Sequence, residues 1–228
     1  MTEQVLLIDK PQHWTSFDVV RKLRNLLKIK KIGHAGTLDP LATGLLIVCT
    51  GKFTKKINEY MGMPKEYTGT ITLGATTPTY DLESEPENQQ DYSHLTKENV
   101  ENIFQAFTGN ILQTPPIHSA MKVNGERAYK LAREGADVKL EPRSITIYSF
   151  ELTRFQLPEI DFKVVCSTGT YIRSLANDVG EKLGCGGYLS LLRRTKIGDF
   201  LVDDAISLDI AEDKAKSFFH GEKGRNKE

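Results

Sequence analysis

No stretch of this sequence approaches the roughly 18 consecutive apolar residues that a membrane-spanning helix needs, so a helical membrane protein is excluded. Cysteine is scarce: Cys49, Cys166 and Cys185 are odd in number, widely spaced, and form no CxxC or Cys/His pattern. That rules out a disulfide framework and a zinc site and leaves three buried thiols as the expectation. Ahead of its first apolar stretch the segment Met1 to Asp9 has two acidic residues and no basic one, so the basic leader of a signal peptide is missing and a cytoplasmic protein is expected. Net charge is also lacking, because 30 basic residues cancel 30 acidic ones. The molecule as a whole therefore exerts no long-range pull on a polyanion. There is no internal repeat and no low-complexity linker.

What the sequence does have is segregated charge. Residues 1–80 carry 11 Lys and Arg against 6 Asp and Glu (+5), residues 81–105 carry 1 against 7 (−6), residues 106–200 carry 13 against 10 (+3), and residues 201–228 carry 5 against 7 (−2). A basic face is thus compatible with zero net charge. The 228 residues suit one large domain or two small ones.

Local patterns predict a mixed α+β chain. Val5-Leu6-Leu7-Ile8 reads as a short buried strand. Thr15 and Asp18 make a capping pattern before Val19, Val20, Leu23, Leu26 and Leu27, which recur at helical spacing, so a helix is predicted over about 16–28 with a basic far end at Lys28, Lys30 and Lys31. Residues 45–50 read as a strand, 52–60 as a short helix and 67–73 as a strand. The acidic, aperiodic stretch 81–95 reads as an exposed loop. Thr96 caps a helix over about 97–108 that Gly109 ends. Ser119 to Val123 followed by Asn124-Gly125 reads as a strand and tight turn, and Glu126 to Glu134 as a helix. Ile145 to Phe155 and Ile160 to Ser167 read as antiparallel strands, and Thr170 to Leu183 as a helix ended by Gly184. Strands interspersed with helices favour an α+β fold. The polar end, Gly221 to Glu228, is expected to fray.

The chemistry is concentrated in Gly33-His34-Ala35-Gly36-Thr37-Leu38-Asp39-Pro40-Leu41-Ala42-Thr43-Gly44. Three glycines and a proline in twelve residues make a loop. Pro40 stiffens the backbone after Asp39, and the glycines permit close approach of another chain. An aspartate before proline is by itself usually a turn residue. The full string, however, resembles almost residue for residue the signature of the TruB-type tRNA pseudouridine synthases, whose motif aspartate, here Asp39, is catalytic. Further segments resemble that family in order: Asp9-Lys10-Pro11 with Thr15-Ser16, Lys65-Glu66-Tyr67, Thr79-Tyr80-Asp81, Ser167 to Leu175 around Arg173, and Gly184-Cys185-Gly186-Gly187 with Leu191-Leu192-Arg193-Arg194.

The resemblance implies a pseudouridine synthase fold with a central, largely antiparallel, bent sheet flanked by helices. It implies one catalytic domain over 1–210, a mobile thumb inserted at about 113–143, and a tail at 211–228 with no C-terminal RNA-binding module of the PUA type. The implied activity is isomerisation of uridine 55 in the tRNA T-loop. The base is flipped out, its bond to the ribose breaks, and it rejoins through C5. Nothing is oxidised and no group is imported, so neither metal nor cofactor is required. Asp39 would be the nucleophile, with attack on the sugar carbon and removal of a ribose proton both open to a carboxylate. Arg173 would pair with it and keep it ionised. Tyr67 would stack on the base with its hydroxyl near C5. His34, Lys10, Leu192, Gly36, Thr37 and Asp81 would line the substrate site. Phosphate contacts are expected from Lys28, Lys30, Lys31, Arg193, Arg194 and the thumb cations Lys122, Arg127, Lys130, Arg133, Lys139 and Arg143. The T-arm of tRNA is the implied partner, met by a monomer with no obligatory protein partner and no membrane.

Two other readings stand beside this one. A P-loop phosphotransferase is excluded, because Gly44 and Gly51-Lys52 are seven apart instead of five and Phe53 occupies the Ser/Thr place. A non-catalytic RNA-binding protein, or a synthase acting on another RNA, would share the basic surface; the former has no need of Asp39, Tyr67 and Arg173 together.

Overall fold

A computed structural model of the chain describes residues 3–117, 122–123, 126–127 and 140–213. Those residues form two compact units, one of residues 1–65 and 193–228 and the other of residues 66–192.

In the first unit β1 (Val5–Lys10) lies antiparallel to β3 (Thr43–Thr50), and the short β2 (Ile32–His34) pairs antiparallel with β3. The end of β10 (Gly187–Ile197) runs parallel to β3, with Arg193 opposite Thr43 and Arg194 opposite Gly44, and then turns back into β11 (Phe200–Leu201). β3 is buried along almost its whole length, as expected of a strand covered on both faces. The outer edge of β1 is not left open: Ile206 donates to Leu7 O and accepts from Asp9 N, both at 3.0 Å. Helix α1 (Ser16–Leu27) starts at a complete capping box of Thr15 and Asp18 and ends on Lys28 in the left-handed conformation. Its buried face, Val19, Val20 and Leu23, packs with Ile8, Leu46 and Val48. The predicted helix at 52–60 is a 3₁₀ turn (Gly51–Lys56) followed by α2 (Ile57–Gly62).

In the second unit the strand order is β10, β4 (Lys65–Leu73), β9 (Glu159–Cys166), β8 (Arg143–Gln156), β5 (Gly109–Gln113). Both β8–β9 and β5–β8 are antiparallel. Helix α3 (Lys97–Ala106) has its own capping box of Thr96 and Asn99. Its Phe104 stacks on Phe150 of β8 at 3.7 Å between ring centroids, and Phe150 meets Phe162 of β9 edge-on at 5.6 Å. Helix α4 (Ile172–Leu183) is buried on nearly every side and ends at Gly184 in the left-handed conformation. The fold is thus α+β with a mostly antiparallel open sheet and flanking helices.

Four strands, β2, β5, β10 and β11, have no counterpart in the sequence reading. The predicted 81–95 loop is irregular, but Asp81 is buried and bridges Leu189 of β10. Strands β6 (Lys122–Val123) and β7 (Glu126–Arg127) pair antiparallel on either side of the Asn-Gly dipeptide, so a helix does not begin at Glu126. Residues 118–121, 124–125 and 128–139 of the expected thumb, including Lys130, Arg133 and Lys139, and the expected frayed tail at 221–228 lie outside the described residues. All three cysteines are buried and none is in a disulfide, and burial pushes the Cys49 thiol up to about 11.

Candidate active site

The first unit holds Asp39, Lys10, His34, Gly36 and Thr37. The Asp39 loop leaves β2 at His34 and re-enters the sheet at Thr43. Its own backbone contributes little: Ala35 N reaches Ile47 O at 2.8 Å and Ala42 N reaches Asp39 O at 3.1 Å. Side chains from elsewhere hold the rest. Ser16, buried in the first turn of α1, accepts from Leu38 N at 2.8 Å and donates to Leu38 O at 3.2 Å. Ser16, the first residue of α1, thus holds the residue next to Asp39. Past Asp39, His13 N donates to Pro40 O at 2.8 Å.

Lys10 is fully buried at the end of β1, and its ammonium donates to the carbonyls of Pro11 (3.0 Å), Trp14 (2.6 Å) and Pro40 (3.3 Å). Burial pushes its pKa down to about 8; the nearby Asp39 carboxylate pulls it back up, and Arg194 pushes it lower. The folded protein thus releases this proton near pH 8, whereas an unfolded lysine holds it to about 10.5. Between those values the unfolded chain binds more protons, so the contribution of Lys10 to stability rises with pH. Lys10→Met is expected to flatten that rise. At neutral pH it is expected to cost about 1–3 kcal/mol by leaving three carbonyls without their donor. Urea unfolding of both proteins from pH 7 to 10.5 measures it, and parallel stability curves would sink the assignment.

Arg194 is 1% exposed and lies beneath the same loop. Its Nε donates to Leu45 O (2.8 Å), Nη1 to Thr37 O (3.3 Å) and Nη2 to Gly36 O (3.2 Å). Gly36 and Thr37 thus enter the site through their carbonyls. Gly44, with φ +103°, has no room for a side chain: a Cβ there would stand 2.3 Å from Arg194 O. The next residue back along β10, Arg193, points the other way and makes a two-pronged ion pair with Asp9 at 2.8 and 3.0 Å. The expectation that Arg194 grips an RNA phosphate is therefore corrected, since a buried guanidinium engaged with three carbonyls does not reach solvent. His34 is half-buried; burial lowers its pKa, the Gly36 backbone raises it, and the charge of Arg194 lowers it again.

The second unit holds Tyr67, Asp81, Arg173 and Leu192. Tyr67 lies near the start of β4 and Leu192 at the middle of β10; both are buried. Gly69 lets these strands approach, for a Cβ there would meet Leu191 O at 2.5 Å. Arg173 is the second residue of α4 and 5% exposed. Its Nη1 donates to Thr79 O at 3.1 Å, and its Nε stands 3.5 Å from Asp81 Oδ2. Asp81 is fixed in turn by Glu83 N on its Oδ1 at 3.0 Å. Within this unit the structure brings Asp81 to Arg173. A cation so placed is desolvated, aimed and permanently charged.

Sequence reasoning missed the residue that starts α4. Tyr171, the helix N-cap, makes no side-chain cap. The buried Gln113 instead donates to Tyr171 O at 3.0 Å and accepts from Tyr171 N at 2.8 Å. Ser174 adds a bond to Thr114 O at 2.9 Å. Gln113 falls at the first residue of the expected thumb, and no sequence signal singled it out. Among the described residues no group of three His, Cys, Asp or Glu side chains is placed to hold a metal ion, and no helix is long and apolar enough to cross a membrane.

Comparison with known proteins bears on the same residues. A model of the TruB family pseudouridylate synthase N-terminal domain matches residues 24–172, and one of the tRNA pseudouridylate synthase B C-terminal domain matches residues 173–221. The chain is 55% identical over 217 residues to the tRNA pseudouridine synthase B of Flavobacterium johnsoniae, covering 92% of this chain and 95% of that one. To the enzyme of the same name from Phocaeicola vulgatus it is 52% identical over 212 residues, covering 90% of each. A solved Cbf5-Nop10-Gar1 complex contains a chain with 30% identity and a TM-score of 0.75, aligned over 96% of this chain and 56% of that one. An H/ACA RNP bound to a substrate RNA containing 2'-deoxyuridine contains another, at 28% identity and a TM-score of 0.71, aligned over 96% and 55%. The chain thus spans little more than half the length of those solved chains. With two family models end to end over residues 24–221 and half of all positions shared with such relatives, the chain belongs to the TruB family of pseudouridylate synthases.

Proposed function

We propose that this chain converts uridine 55 in the T-loop of tRNA to pseudouridine, with Asp39 as nucleophile. One observation carries the assignment of Asp39: its loop has few backbone bonds of its own and is held by buried side chains on both sides, Ser16, Lys10 and Arg194. A loop so constrained presents one carboxylate in one geometry, as attack on a flipped nucleotide requires. Arg173 supplies the permanent cation of the site, Tyr67 stacks on the detached base and serves the C5 proton, and Leu192 packs beside it. His34, kept neutral by burial and by Arg194, lies where the nucleotide leaves the stack. The enzyme works in the cytoplasm as a monomer, on tRNA without an obligatory protein partner.

Affinity comes from local contacts, since net charge is zero. Lys28, Lys30 and Lys31 are exposed, and Gly51 N bonds Lys31 O at 2.9 Å, which sets the exposed Lys52, Lys55 and Lys56 on the neighbouring segment. With about three to five phosphates engaged at once, log affinity against log salt is expected to slope between about −2 and −5. Recognition of extruded loop bases is local, so a T-arm minihelix is expected to be modified nearly as well as whole tRNA. Incubation with unmodified tRNA and with the minihelix, followed by chemical mapping of pseudouridine, tests both substrate and site. Modification at another position or in another RNA overturns the substrate. A minihelix worse by more than about a hundredfold, roughly 2.7 kcal/mol, overturns local recognition.

A further inference from the structure

Two consecutive arginines lie in the second half of β10, and they do different things. Arg193 is partly exposed and paired with a carboxylate, Asp9. Arg194 is buried, and its hydrogen-bond acceptors are the neutral carbonyls of Gly36, Thr37 and Leu45. Burying a guanidinium against neutral acceptors is costly, and an apolar side chain is the cheaper filling for such a place unless the donors themselves are needed. Here they are needed. Two of the acceptors, Gly36 and Thr37, lie in the loop ahead of Asp39 and the third, Leu45, lies in β3 just past it, and only a rigid planar fork reaches residues 36, 37 and 45 at once. The register of β10 on β3 sets the fork there, because Arg194 lies opposite Gly44 and the bare Cα of Gly44 admits the Arg194 backbone.

We infer that Arg194 is a positioning residue for the reaction, whose guanidinium fork fixes the shape of the loop that presents Asp39 and makes no contact with RNA. The inference rests on reading that loop as catalytic. Fork and charge have separate consequences. The fork sets geometry, and misplacing a reacting group by about 1 Å costs on the order of a hundredfold in rate. The charge acts on the neighbours His34 and Lys10, disfavouring their protonated forms.

The test compares wild type with Arg194→Lys, which keeps the charge and loses the fork, and Arg194→Met, which loses both. Single-turnover rate and Kd are measured on T-arm RNA, and the His34 imidazole is titrated by NMR, each well below the melting temperature of the variant. Arg194→Lys is expected to bind RNA within about threefold of wild type, to turn over about a hundredfold more slowly, and to leave the His34 titration nearly in place. Arg194→Met is expected to be equally slow and to move the His34 titration upward, because a repelling charge is gone. Should Arg194→Met not fold, Arg194→Lys alone decides the question. Turnover within about threefold of wild type in Arg194→Lys overturns the inference. So does full turnover at saturating RNA with Kd weakened more than tenfold and a shallower salt slope, which is the signature of a phosphate contact. If wild type modified no RNA, the isomerase reading would fail, while the His34 titrations would still report whether Arg194 occupies the loop.

Discussion

Asp39→Asn is expected to bind T-arm RNA within about threefold of wild type and to lose turnover by at least about ten-thousandfold, the scale seen when a nucleophile is removed. The replacement has the same shape, and Ser16, Lys10, His13 and Arg194 hold the loop through backbone atoms of residues 36–45. The loop therefore survives while the atom that attacks, or that takes a ribose proton, is gone. A neutral amide does neither. Filter binding and single-turnover isomerisation on the same protein preparation measure the two quantities. Turnover above a few per cent of wild type would remove Asp39 from its role. The same variant separates the two classes of function, since an RNA-binding protein without chemistry has no turnover for the substitution to abolish.

The second large effect concerns stability. Gly180→Ala introduces a Cβ on α4 that would stand 2.1 Å from Gly187 N and 2.3 Å from Gly186 C. Helix propensity alone favours the alanine by about 1 kcal/mol. Overlap with backbone decides the sign, because a strand within a sheet cannot step aside as a side-chain tip does. A net loss of about 3 kcal/mol or more is expected, and the displaced helix carries Arg173 near its start. Gly62→Ala is the control: nothing lies within 4 Å of its Cβ, and a change of no more than about 1 kcal/mol is expected. Urea midpoints of both variants measure this. A Gly180→Ala protein as stable as wild type would show that α4 and β10 are not locked together as the structure has them.

What could be read along the chain was whatever depends on near neighbours in sequence. The α1 and α3 capping boxes join residues three apart. The helix ends at Lys28 and Gly184 are left-handed stops within one turn, and β1, β3, β8 and β9 follow local apolar patterns. The Asp39 loop was legible because its glycines, proline and aspartate form one unbroken string. The strands that escaped notice, β2, β5, β10 and β11, are short or mixed: Leu191-Leu192-Arg193-Arg194 has no clean alternation, because its two arginines serve opposite faces, one bound to Asp9 and one to loop carbonyls.

The sequence by itself determined that this is an α+β chain of the TruB family, and it offered Asp39 as the candidate carboxylate. Only the tertiary structure decided how that carboxylate is held. Arg194 looked like a surface cation because charge is visible in a sequence and burial is not; it is the register of β10 against β3, 150 positions apart at Arg194 and Gly44, that turns its side chain inward. Gln113 looked like part of a connection because its partner, Tyr171, is 58 residues away. Long-range pairing of this kind follows from which strands find one another in the folded chain, and no local pattern of residue types encodes it.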